Sequence, residues 1–507
     1  MTIKNVAIIG GGTAGWITAN HLGKALEKEQ IQITLIEDPD TPIIGVGEGT
    51  VPMMRQTLQH FGISESEFIS QCDATFKQSI KFVNWLDKHQ HGENNYYHHL
   101  FDYPFPFNED LTPYWLNKTE QSFADTVSFQ GLVCDNFKAP KRITDKEYEG
   151  ATTYAYHLNA AKFAKLLKKH AEEQFGVKYL SAKITDVTFS EDGSIRELLT
   201  DKAESLPFDF YVDSSGFQGF LIEKKLNVGL IDKSKELLTN TAIAVQVPTE
   251  KDRIIPPYTI STAHQAGWIW DIALPERRGV GFVFSNNHLN TDLAYQKVER
   301  YIGRSLDELS PREIKMRIGF REKFWAHNCV AIGLSQGFVE PLEATALLLT
   351  DFSAKLLAER FPRDKQTLAP LARRYNEQLT EVWTNTLDFI KLHYCISDRT
   401  DSDFWIDNRA PETISQRLAD RLAIWQQTNP VRSDFPSKIE VFDIENYLYV
   451  LYGMKFKTAP PELDLNYSNR AEQQSAQVNQ MAKKLAEELP QHRELLVKIA
   501  KYGLNQI

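Results

Sequence analysis

The spacing of apolar positions changes along this chain, and the changes predict its elements. Residues 6–9 form an unbroken apolar run, short enough for a buried strand and closed by glycines. Over 17–26 the apolar residues fall on one side at helical spacing, and 31–36 reads as a second strand ending at Glu37. Helices are predicted over 56–61, over 64–72 with Ser64 as N-cap ahead of Glu67, and from the cap Asn159 to Phe175, where Gly176 stops it. Phe82, Val83 and Trp85 favour a strand, which would put Lys77, Ser79 and Lys81 on one face. Further strands are expected over 178–180, 184–189 and 195–200, the last two joined by a hairpin at Asp192-Gly193. Residues 242–247, 268–272, 279–285 and 328–333 complete the strand pattern. A helix is expected to run on to Ala358, and from Pro370 the chain reads as mostly helical, closing with 472–489 and 494–500. Residues 91–150, rich in His, Tyr, Phe, Pro and Asn with little periodicity, read as an insertion that covers a site.

Composition narrows the class. The 507 residues are 42% hydrophobic and 24% charged, as in a globular protein, and no apolar run is long enough to span a bilayer. A net charge of −10 argues against a nucleic-acid or anionic-membrane partner. The four cysteines, Cys72, Cys134, Cys329 and Cys395, lie far apart without metal or redox spacing, and the expectation is reduced thiols in the cytoplasm. His91, His98, His99 and His157 make no metal spacing either, so no metal is expected. The first strand begins so early that no leader is expected ahead of it. Nine Trp, 19 Tyr and 29 Phe suit either a large core or a pocket for a flat ring.

The sharpest chemical signal is Gly10-Gly11-Gly12-Thr13-Ala14-Gly15 between the first strand and the first helix. Gly10 permits the tight turn, Gly12 lets a pyrophosphate approach the backbone, and Gly15 lets helix and strand pack closely. The helix start offers free N–H groups to phosphates, and Glu37 stands about 20 residues on, where a ribose diol would be held. A dinucleotide site follows. Gly45, Gly47 and Gly49 around Glu48 make a loop shaped to lie against a ligand. The stretch 210–219, with Asp213 and Gly216, is similar to the second nucleotide-contacting strand of flavoprotein oxidoreductases. Trp268, Trp270 and Ile272 share a strand face, as core or as the wall of a ligand site. Glu340 and Glu343 stand where the helix of 345 onward begins, as caps or as part of an anion site.

Taken together, these stretches resemble the flavin-dependent tryptophan halogenases nearly end to end. The resemblance rests on residues 10–16, 45–52, 76–85, 212–219, 268–272, 338–345 (Phe-Val-Glu-Pro-Leu-Glu-Ala-Thr) and 398–405. It implies an α/β fold, with a Rossmann-like FAD-binding domain of flavin monooxygenase type and an interleaved, largely helical substrate-binding subdomain. The FAD module would be 1–90 and 150–370, and the substrate-binding part 91–149 and 371–507. It implies that FADH2, O2 and halide, chloride or bromide, give hypohalous acid, which crosses a tunnel to an electron-rich aromatic. Lys77 would hold or capture the oxidant and Glu343 would assist the electrophile or take the ring proton. Backbone N–H groups of Thr345 and Ala346 would hold halide. FAD would be bound by Gly10, Gly12, Thr13, Ala14, Gly15, Glu37, Gly47, Glu48, Asp213 and Gly333. Pro52, His98, Phe442 and Tyr447 would line the substrate pocket, with Trp268 and Trp270 as the flavin-side wall.

Departures from the family pattern shape the expectation. Ala346 replaces the usual glycine and would be strained if that position needed positive φ. Ala273 ends the twin-tryptophan motif where proline is usual, and Phe442 stands where a stacking tryptophan is common. No acidic clamp for a free amino acid is evident, so an indole or another electron-rich aromatic is expected rather than free tryptophan, with bromide favoured. No second glycine-rich nucleotide fold is seen, so a separate NAD(P)H-dependent flavin reductase is the expected partner. The oligomeric state stays open, a homodimer included. The competing readings are a flavin monooxygenase that hydroxylates its substrate directly and a non-catalytic FAD-binding redox protein.

Overall fold

The computed structural model describes residues 2–41, 48–118, 121–202 and 204–506. The apolar run forms the strand Asn5–Ile9, four of whose five residues are buried. It lies at the centre of a six-stranded sheet, between Gln32–Glu37 and Phe210–Asp213, both parallel to it. Lys178–Ser181 and Cys329–Ala331 extend the sheet in parallel, and Trp325–Ala326 closes one edge antiparallel. Such a sheet is covered on both faces, which is why its strands read as continuous apolar runs. The helix Thr13–Leu26 packs against Ala160–Phe175 and Thr345–Glu359. Asn159 accepts from the Lys162 N–H and Gly176 takes the left-handed turn, as the capping pattern predicts.

A seven-stranded sheet forms the second layer, in the order Arg312–Lys315, Thr241–Pro248, Arg277–Phe284, Gly267–Ala273, Tyr258–His264, Ser79–Val83, Tyr96–Leu100. One strand of the expected covering insertion, Tyr96–Leu100, is therefore an edge of this sheet. The expected single strand through Lys77 and Lys81 is divided at Gln78. Thr75–Lys77 pairs with Ala155–Leu158 in a small sheet, whereas Ser79–Val83 joins the large one. The lysines accordingly part. Lys77 is buried, and Lys81 forms an ion pair with Asp135 at 2.7 Å and lies over the Tyr96 ring.

The C-terminal part is helical as predicted. Leu368–Cys395 is a 28-residue helix that carries Pro370 in its first turn, where a missing N–H costs nothing. Ile444–Gly453, Leu465–Glu488 and His492–Tyr502 follow. Among the described residues, no helix is long and apolar enough to cross a membrane.

Candidate active site

The glycine-rich turn opens a cavity of about 470 Å³ at the carboxyl ends of the parallel strands. Gly10 has φ +114°, and a Cβ there would stand 2.2 Å from the Ser214 carbonyl oxygen, so only glycine lets the two strand ends approach. At Gly15 a Cβ would lie 2.0 Å from the Gly10 oxygen, which is the close helix–strand contact expected of it. Gly12 differs, since a Cβ there would meet no protein atom within 4 Å. It borders open cleft, at the start of a helix without a side-chain cap. Free N–H groups, an unfilled approach and the Glu37 carboxylate at the cleft wall fit a pyrophosphate and its ribose. Glu37 accepts a hydrogen bond from the Tyr179 hydroxyl at 2.9 Å. Thr13, Ala14 and Gly333 also line the cleft. Asp213 does not. Its buried carboxylate accepts from the backbone N–H groups of Ser215, Leu221 and Ile222, so it shapes the loop whose residues Ser214–Gln218 face the cleft. Gly47 and the Glu48 side chain lie outside the described residues.

The cleft runs on beneath Trp270 to Lys77. Trp270 and Ile272 line it, while Trp268 lies behind at a ring separation of 6.2 Å from Trp270. Lys77 is 1% exposed. Its ammonium donates to the Thr50 carbonyl at 3.0 Å and sits 5.2 Å from the centre of the Phe101 ring. Burial pushes its pKa down from 10.5 to about 8, partly opposed by the negative charge of Glu343.

Phe101 also lines a second cavity, of about 490 Å³, with Glu343, His99, Pro52 and Phe442 on its walls. Glu343 is 2% exposed. His99 Nδ1 lies 3.0 Å from both of its carboxylate oxygens, and His393 Nε2 lies 2.8 Å from Oε1. Burial would raise this carboxyl, but the two histidines outweigh it and hold the pKa down to about 2. Glu343 therefore caps no helix. Its near neighbour Glu340 is buried with Thr239 and Tyr394, and burial pushes its pKa up to about 7. Lys77 thus lines the first cavity and Glu343 the second, with neither side chain in bulk water, and Phe101 stands beside the Lys77 ammonium on the wall of the second.

Thr345 and Ala346 begin the helix Thr345–Glu359, which has no side-chain cap, and Ala346 lines the first cavity. The left-handed residue is Ala344 at φ 56°, not Ala346, so the conditional strain at Ala346 does not arise. Two pocket assignments are corrected. His98 points away, its ring nitrogens against Ser79 Oγ at 2.9 Å and Asp135 at 3.2 Å, while His99 faces the cavity. Successive strand residues alternate faces, and two adjacent histidines carry no sign of which is which. Tyr447 sits behind the wall against Phe389, Trp425 and Phe435, while Phe442 stacks on Phe389 at 4.3 Å and lines the cavity. Sequence reasoning missed His99, Phe101 and His393. Period-two alternation from a known inward residue was the available signal for the first two, and none pointed to His393.

Comparison with known proteins bears on this arrangement. The sequence profile of the tryptophan halogenase family matches residues 5–465. Tryptophan 6-halogenase ThaL of Streptomyces albogriseolus is 34% identical over 462 residues, covering 88% of this chain and 85% of that protein. The crystal structure of a tryptophan halogenase from Shewanella frigidimarina superposes with a TM-score of 0.96 at 37% identity, covering 100% of this chain and 99% of the other. Xcc4156, a flavin-dependent halogenase from Xanthomonas campestris, gives 0.88 at 29% identity, covering 100% and 99%.

Proposed function

The chain belongs to the tryptophan halogenase family of FAD-dependent halogenases, and from that premise we propose that it halogenates an indole-type ring held in the cavity between Phe101 and Phe442. The observation that carries this reading is the pair Lys77 and Glu343, both buried, each on the wall of a cavity and close enough that the Glu343 charge acts on the Lys77 ammonium. Bound reduced FAD, with O2 and halide, supplies hypohalous acid at the cleft. The residues do the rest. The uncapped start of the helix Thr345–Glu359 presents backbone N–H groups of Thr345 and Ala346 to halide. The Lys77 ammonium holds the oxidant by hydrogen bonding to its oxygen, inside an apolar passage where that bond is strong. Glu343, ionised and buried, takes the proton that the ring loses. Trp270 lines the first cavity, on the cofactor's side. A separate NAD(P)H-dependent flavin reductase delivers the reduced cofactor.

The test combines the protein with FAD, such a reductase, NADH and either bromide or chloride, and follows indole and tryptophan by mass spectrometry. Halogenated indole that disappears when halide is omitted, and in Lys77→Ala, supports the reading, with bromide the better halide. Oxygenated product without halide would assign hydroxylation instead. Free tryptophan chlorinated as well as indole is brominated would refute the substrate assignment.

A further inference from the structure

Every ring nitrogen around Glu343 is committed. His393 Nδ1 lies 2.9 Å from the Phe389 carbonyl oxygen, which can only accept, so that nitrogen carries a proton. The Asn446 amide nitrogen donates to the Asp443 carbonyl at 3.4 Å and to Glu445 at 3.3 Å, which turns its oxygen toward His99 Nε2 at 3.1 Å. That nitrogen carries a proton as well. The two nitrogens left, His99 Nδ1 and His393 Nε2, both point at the Glu343 carboxylate. Each contact needs a proton in it, and the carboxyl group can supply only one. At least one imidazole is therefore a cation, and with both protonated Glu343 is fully ionised. All three side chains are buried, so water does not substitute for either contact.

We propose that His99 and His393 are positioning residues for halogenation, clamping Glu343 from two sides so that it stays an ionised base aimed at the substrate cavity. The proposal rests on the halogenase reading. In the step served, the halogen of hypohalous acid bonds to a ring carbon as its bond to oxygen breaks. The departing hydroxide takes a proton from the Lys77 ammonium and leaves as water. The ring C–H bond then breaks, its electron pair restores the aromatic system, and the proton goes to Glu343. Glu343 later gives up a proton and Lys77 regains one, which balances the cycle. Among the described residues, the other ionisable groups facing this cluster are Tyr97 on the strand Tyr96–Leu100, Lys77 on Thr75–Lys77, and Glu445 and Tyr449 on Ile444–Gly453, the Tyr449 ring 6.1 Å from that of His99. The rings of Phe82, Trp85 and Phe389 stand around His393 beside the carboxylate. Once the histidines are gone, burial favours the protonated acid, opposed by the Lys77 ammonium alone among the groups named here.

The experiment compares the parent with His393→Phe and His393→Gln, which keeps an N–H donor, in two measurements. Infrared titration reads the carboxylic-acid band that is absent in Glu343→Gln, and needs no turnover. It is expected only at acidic pH in the parent, near neutral pH in His393→Phe, and in between in His393→Gln. In turnover, the acid limb of kcat rises by about one pH unit or more in His393→Phe, a tenfold loss below it, with KM for the aromatic unchanged. Deuterium at the halogenated carbon then slows the variant and not the parent. An unmoved carboxyl band in either variant overturns the proposal, even if His393→Phe folds poorly, because His393→Gln preserves the packing. A parent that halogenates nothing while its band behaves as described would overturn the functional reading and leave the clamp standing.

Discussion

Lys77→Met removes a buried ammonium and keeps the length and apolar stem of the side chain. An ordinary lysine titrates at 10.5, and burial among Thr50, Phe101 and the sheet brings Lys77 down to about 8. At 1.36 kcal/mol per pH unit, that difference means the charged form costs the folded state about 3 kcal/mol at neutral pH. The attraction of Glu343 is already inside that net value. The sign follows from proton counting. Between pH 8 and 10.5 the unfolded chain holds the Lys77 proton and the folded chain does not, so stability rises with pH across that window. Below 8 both states hold it and the full cost is present. Urea denaturation at pH 7 should therefore find Lys77→Met more stable than the parent, by about 3 kcal/mol if methionine packs as well as lysine does. The gap should shrink as pH rises through the window. The same variant should bind FAD and lose halogenation, the signature of a residue retained for chemistry at a cost in stability. A Lys77→Met protein less stable than the parent at pH 7, or a gap that does not change with pH, would refute the assignment of a strained buried ammonium.

Other outcomes follow from the same geometry. Glu343→Gln cannot accept a proton, and halogenated product should form about 100-fold more slowly or worse while NADH consumption by the coupled reductase continues. Gly12→Ala and Gly15→Ala should separate cofactor binding from folding. The first adds a methyl to open cleft, so thermal stability holds and FAD affinity falls, whereas the second drives a Cβ into the Gly10 carbonyl and lowers both. Ala346→Gly should not relieve strain, because Ala346 is helical; it should cost up to about 1 kcal/mol in thermal or urea unfolding.

Much of the framework was legible because it depends on neighbours in the chain. Ser64 and Asn159 cap their helices with their own side chains, and Gly176 ends one by adopting a left-handed turn. The turn at Gly10 to Gly15 is a matter of a few consecutive residues, and so is the helix start that follows it. Motifs of this kind carry their geometry locally, and the FAD cleft could be expected from them. The order of strands was less accessible. Nothing near Ser79–Val83 announces that its parallel neighbour is Tyr258–His264.

The sequence alone determined which chemical groups are present and where the backbone turns. Only the tertiary structure decided which groups meet. His99 and Glu343 are 244 residues apart, and His393 lies 50 beyond Glu343. Their contact depends on a sheet edge, a helix start and the end of a 28-residue helix converging. It also settled that Lys77 is buried while Lys81 is paired with Asp135, and that His99 rather than His98 looks into the cavity. The reason is physical. Burial and long-range charge pairing set how a lysine or a carboxylate behaves, and both belong to the packing of distant segments rather than to the residue or its neighbours.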